Sequence, residues 1–101
     1  MEIFVPIAFK GEFFEVLGQT DLSQIAVMTI AAGSDSGPED VHDGDQVVYV
    51  IEGEVTLEIN GEREQITAGR LAIVPKGAQH HLYNTSQQPA FLLHIYTPPQ
   101  Y

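Results

Sequence analysis

The sequence predicts an all-β protein, an antiparallel sandwich or barrel, and three observations carry that prediction. Gly or Pro recurs at roughly ten-residue intervals. The segments between are short and rich in Val, Ile, Tyr and Phe, which fit a pleated, half-buried surface. Helical periodicity is poor throughout. Together they place strands at residues 12–17, 24–30, 46–51, 55–59, 62–67, 71–74, 80–84 and 90–97.

Taken in order, residues 1–9 are apolar but irregular, and read as an arm or an edge strand. Segment 24–30 holds Ile25, Ala26, Val27, Met28 and Ile30, apolar on both faces, so a second sheet or a second subunit is expected to cover its outer side. Residues 31–44 combine Gly, Ser and Pro with acidic side chains and read as a loop, the kind of segment on which sites are built. In Val55-Thr56-Leu57-Glu58-Ile59 the side chains alternate with period 2, and Asn60-Gly61 then supplies the two positive-φ residues of a type I′ hairpin turn. The 101 residues make one domain, with 1–22 as N-terminal arm and edge strand and 23–97 as the barrel.

Composition narrows the chemistry. Hydrophobic residues are 44% and charged residues 18%, a globular balance. No cysteine occurs, which excludes disulfides, thiolate metal sites and cysteine nucleophiles. Four Lys and Arg stand against fourteen Asp and Glu, a net charge of -10, so the chain cannot build the basic patch that nucleic acid or an anionic membrane requires. The acidity attracts cations, metal ions included. No run of apolar residues is long enough to span a bilayer, and Met1-Glu2-Ile3-Phe4 lacks the positive start of a signal peptide, so a cytoplasmic location is expected. No Ser-His-Asp arrangement or phosphate-cradling glycine loop offers a mechanism of its own.

Two segments carry most of the histidines. In Asp40-Val41-His42 the outer two residues share a face if the chain is extended, and Gln46 opens the next strand. In His80-His81-Leu82-Tyr83-Asn84 one face holds His80, Leu82 and Asn84, so only one histidine of the pair can enter a barrel. His94 lies in the series Leu92, His94, Tyr96, either lining the cavity or in a packed or exposed role. One interior face could thus gather Asp40, His42, Gln46 and His80.

These residues carry a resemblance. Gly69-x5-Pro75-x-Gly77-x2-His80-x3-Asn84 is similar to the second motif of the cupin family at every fixed position. Asp40-x-His42-x3-Gln46-x6-Gly53 resembles its first motif in part, with Asp40 where the first histidine usually sits and Gln46 where the carboxylate usually sits. Gly33 is one residue out of register with the glycine that opens that motif. The chain also resembles small stand-alone cupins whose last strand ends as Ile95-Tyr96-Thr97-Pro98-Pro99 does here.

The resemblance implies a jelly-roll barrel, or double-stranded β-helix, with one divalent metal ion inside (Fe, Mn, Ni or Zn) and Asp40, His42, Gln46 and His80 on the ligand positions. Moving the carboxylate from 46 to 40 leaves one negative charge and two imidazoles, a set suited to those metals. Asp40 has an alternative as a solvated loop acid, and Gln46 as an interior hydrogen-bonding residue. The expected function is a metal-dependent enzyme acting on a small organic substrate, since dioxygenase and isomerase chemistries both occur in the family. The rival is a non-catalytic module that binds a small molecule. A homodimer is expected, because 24–30 and the apolar arm offer more hydrophobic surface than one small barrel can cover.

Overall fold

A computed structural model describes all 101 residues. Eight strands follow an N-terminal arm: β1 Phe14–Gln19, β2 Gln24–Ile30, β3 Asp45–Glu52, β4 Glu54–Ile59, β5 Glu62–Thr67, β6 Leu71–Val74, β7 His80–Tyr83 and β8 Ala90–Thr97. All pairings are antiparallel and form two sheets, β1-β2-β8-β3-β6 and β5-β4-β7. The chain is all-β apart from a single 3₁₀ turn at Pro6–Phe9. No helix is long and apolar enough to cross a membrane.

The strand positions follow from alternation and from turn chemistry. Val55 and Leu57 are buried while Thr56 and Glu58 are partly exposed, and β4 turns into β5 at Asn60 and Gly61, whose φ values are 47° and 87°. A type I′ turn needs positive φ at both central residues, and its twist matches that of the strands it joins. At Gly53, between β3 and β4, φ is 81° and a Cβ would lie 2.7 Å from the Pro89 carbonyl oxygen, so only glycine fits.

Between the sheets lies one aliphatic core, with Ile30, Val48, Val50, Val55, Leu82 and Leu92 among its buried members. Burying each such side chain contributes roughly 1.5–3 kcal/mol. The face of β2 away from this core is also largely covered, and Val27 is fully buried. Part of that cover is the chain's own N-terminal arm, which contains the 3₁₀ turn and no strand. A Cβ on Gly18 would meet the Phe4 ring at 2.6 Å, so the missing side chain lets the arm lie against the edge strand β1.

The loop between β2 and β3 is tied to the smaller sheet. Asp35 and Asp40 make isolated antiparallel bridges to Tyr83 and His80. In the second, Asp40 N–H donates to the His80 carbonyl at 3.0 Å and His80 N–H to the Asp40 carbonyl at 2.9 Å. The Gly77 N–H donates to the His42 carbonyl at 3.0 Å. These bonds draw the two histidine-bearing segments together.

Candidate functional site

The two segments meet at a cavity of about 50 Å³, whose lining includes Asp40, His42, Gln46, His80, His94 and Tyr96. That volume holds a few water molecules or a ligand fragment of a few heavy atoms. Gln46 reaches it from the start of β3 and His80 from the start of β7. His94 and Tyr96 project inward from β8. His42 stands in the loop before β3, held by its backbone bond to Gly77. All five side chains are buried.

The histidine rings are close. Those of His42 and His80 have centroids 4.7 Å apart. His80 Nδ1 lies 3.2 Å from the Ala78 carbonyl oxygen and donates to it, which leaves the lone pair on Nε2. Gln46 Nε2 lies 3.0 Å from His94 Nδ1. Three buried atoms have no partner: His42 Nδ1, Gln46 Oε1 and His94 Nε2. All three belong to residues lining this cavity. A buried polar atom without a partner costs about 1–3 kcal/mol, so a cluster of them marks a place built for an occupant.

Burial favours the neutral form of two of the histidines. Burial drives the His94 pKa down from 6.5 to about 3, with the His80 and His42 rings adding to the shift. Burial also lowers that of His42, helped by His80 and opposed by the Asp40 carboxylate and by the nearby Gln46 amide. Tyr96 is pushed well above the usual phenol value, chiefly by burial and next by Tyr101. Neutral imidazoles keep their lone pairs, as a metal ligand requires.

Asp40 differs from the other three predicted ligands. Its side chain is 54% exposed, with Oδ2 4.0 Å from His42 Nδ1. Oδ1 accepts from the Val41 N–H at 2.8 Å and Oδ2 from the Tyr101 hydroxyl at 3.4 Å. It therefore sits at the rim and pairs with groups there. No three His, Asp or Glu side chains stand close enough together to share an ion. His42, His80 and Gln46 line the cavity without a charge of their own, so the Asp40 carboxylate at the rim is the negative charge nearest to His42 that could offset a divalent ion.

Two residues at this end of the barrel were not expected from the sequence. Gln24 is fully buried; its Oε1 accepts from the Gln100 and Tyr101 N–H groups at 3.2 and 3.0 Å, and its Nε2 donates to Gln19 Oε1 at 2.7 Å. This clamp sets the Tyr101 ring against Tyr96 and His42, with centroids 5.2 and 5.8 Å away. A polar residue at the start of an apolar strand was the one available hint at Gln24, and nothing local pointed to Tyr101. His81 and Tyr83 stack on the opposite side of β7, as alternation from His80 requires.

An antiparallel barrel with polar residues converging inside one end defines the class. The family model for the cupin domain matches residues 26–96, and the chain belongs to the cupin family, whose jelly-roll barrel is the fold observed. It is similar to BH2720 from Bacillus halodurans, with a TM-score of 0.90 and 28% identity, over 100% of this chain and 84% of that one. It is 35% identical to endoribonuclease YbeY of Myxococcus xanthus over 78% of this chain and 31% of that protein. It is 31% identical to the HTH-type transcriptional regulator PuuR of Escherichia coli, over 69% of this chain and 38% of that one. The chain thus spans about a third of the length of these two curated relatives.

Proposed function

We propose that this cupin binds one divalent metal ion at His42 and His80 and acts on a small organic substrate admitted to the same cavity. The observation that carries the reading is the approach of the buried His42 and His80 rings, 4.7 Å apart at one small cavity, with His80 tied back through its Nδ1. His42 and His80 would hold the ion, Asp40 would lend negative charge from the rim, and Gln46 would complete or tune the surroundings. A bound ion of this kind supplies Lewis acidity or an oxygen-activating centre. The chain's own part is to keep the His42 and His94 imidazoles neutral by burial, to flank the site with the Tyr96 and Tyr101 rings, and to limit what enters by volume.

Elemental analysis of protein purified without chelator or added metal tests the reading. One equivalent of Fe, Mn, Ni or Zn per chain is expected, falling at least a hundredfold in affinity in His42→Ala and His80→Ala. Unchanged metal content in the double variant would overturn it. A second reading, a binding module without turnover, draws on the similarity to a transcriptional regulator. Oxygen consumption or product formation that requires the ion separates the two.

The partner we propose for the outer sheet face is a second copy of this chain. The register lines up Ile73, Val47, Ile95 and Ile25 in one row over four strands of the larger sheet, and Leu71, Tyr49, Leu93 and Val27 in the next. Over β6, β3 and β8 neither row contains a charge, and Leu71 and Ile73 are 60% and 62% exposed, whereas Val27 is already buried and Glu15 of β1 lies beyond it. Two chains that each carry -10 repel least where an uncharged apolar face meets its like. Light scattering should return a dimer mass at micromolar concentration and a monomer for Ile73→Lys; a wild-type monomer would sink the proposal.

A further inference from the structure

We propose that His42, Gln46 and His94 form one directional hydrogen-bonded relay, in which Gln46 is a positioning residue and His94 offers an N–H to a carbonyl or carboxylate oxygen of the small-molecule ligand. The inference deepens the reading of this cavity as the functional site and assigns two residues within it.

The β3–β8 register sets Gln46 opposite Tyr96 and Val48 opposite His94, so Gln46 and His94 are diagonal neighbours on the inner face. Their contact is 3.0 Å, from the amide nitrogen to Nδ1. An amide N–H that donates to Nδ1 requires the other ring nitrogen to carry the hydrogen. His94 is therefore the Nε2–H tautomer, and that N–H is a donor without a partner in a fully buried ring. At the other end of the amide, Gln46 Oε1 and His42 Nδ1 are both buried, both unpaired and both in residues lining the cavity. A small rotation lets Nδ1–H donate to Oε1 and satisfies both atoms.

The direction of the relay is set by charge. Asp40 Oδ2 lies 4.0 Å from His42 Nδ1, and a carboxylate on that side favours a hydrogen there over a lone pair. The opposite amide orientation would place a lone pair on Nδ1 facing that carboxylate. His80 shows the same design built from the main chain, with Nδ1–H on the Ala78 carbonyl oxygen. Fixing one ring nitrogen on an oxygen acceptor and freeing the other is how a second layer of residues orients imidazole ligands. His94 points the opposite way: it presents hydrogen rather than a lone pair, and so recognises an acceptor. A cavity of about 50 Å³ admits one carboxylate or carbonyl group with little attached.

The test is histidine ¹⁵N–¹H correlation spectroscopy on the intact, chelator-treated protein, which reads each ring's tautomer directly. The expected pattern is Nδ1–H for His42 and His80 and Nε2–H for His94, with the His94 signals alone among the three shifting saturably as acetate is added. Gln46→Glu leaves only acceptors at this position, so His94 should switch to Nδ1–H while His42 keeps its hydrogen. Gln46→Leu should leave His94 as mixed tautomers, while Asp40 still favours Nδ1–H on His42. A wild-type His94 in the Nδ1–H form, a His94 that ignores acetate, or a Gln46→Glu variant with unchanged His94 signals would each overturn the proposal. Because the spectra are taken without metal, the result stands whether or not an ion binds at His42 and His80.

Discussion

Each inward-facing row of this barrel changes character along its length. On β3 the sequence runs Gln46, Val48, Val50; on β8 it runs Tyr96, His94, Leu92, Ala90; on β2 it runs Gln24, Ala26, Met28, Ile30. Pairing aligns these rows into layers, with Gln46, Tyr96 and Gln24 side by side at one end and Val50, Leu92 and Met28 side by side deeper in. Both layers are buried. The deep layer is packed carbon that needs no partner beyond contact, whereas the layer around Gln46 and His94 leaves polar atoms unpaired. The difference separates two uses of burial: stability at one end, and a prepared but costly polar surface at the other.

The largest expected break falls in the deep layer. Leu92→Ala removes a fully buried side chain and should cost about 2–5 kcal/mol in urea unfolding, since the cavity left behind cannot collapse completely between two sheets. Metal affinity should survive that change nearly intact. Loss of metal binding without loss of stability would reverse the assignment of the layers.

Acid should act on the polar layer. His94 takes up a proton near pH 6.5 in the unfolded chain and only near about 3 when folded. Between those values the unfolded state binds more protons, so stability is full above pH 6.5 and falls as the pH drops through this window. The slope contributed by His94 should be about 1 kcal/mol per pH unit. Replacing His94 by Phe should flatten that part of the profile; an unchanged slope would show that His94 is not held neutral by burial.

The smallest effect sharpens the contrast most. Replacing Gln46 and His94 together by Leu removes two unpaired atoms and one buried hydrogen bond, and should leave stability unchanged or raise it by about 1 kcal/mol. Thermal unfolding that fell well below wild type would mean that the pair is structural.

Much of the fold was legible because strand formation is local. The alternation of Val55 to Ile59, the Asn60-Gly61 turn and the doubly apolar β2 are all readable from residues close in sequence, and strands 24–30, 62–67, 71–74 and 90–97 have the expected bounds. The spacing of His80 with Leu82 and Asn84 likewise placed that histidine inside. His42 and His80 could be named together from the motifs, and the Asp40–His80 bridge is what joins them in space.

The sequence by itself therefore determined the strands, the turns, the cupin family pattern and the pairing of His42 with His80, since each rests on periodicity or spacing within short stretches, whereas it left the place of His94 open. Only the tertiary structure decided three further points. It held the Asp40 carboxylate at the rim, where the Tyr101 hydroxyl donates to it. It laid the N-terminal arm against β1, over the one glycine that admits the Phe4 ring. And it brought Gln46 to His94 by pairing β3 with β8. The physical reason is common to all three: the partners are far apart along the chain. Which distant residues meet is set by strand order and register, which emerge only when the two sheets bury their shared core.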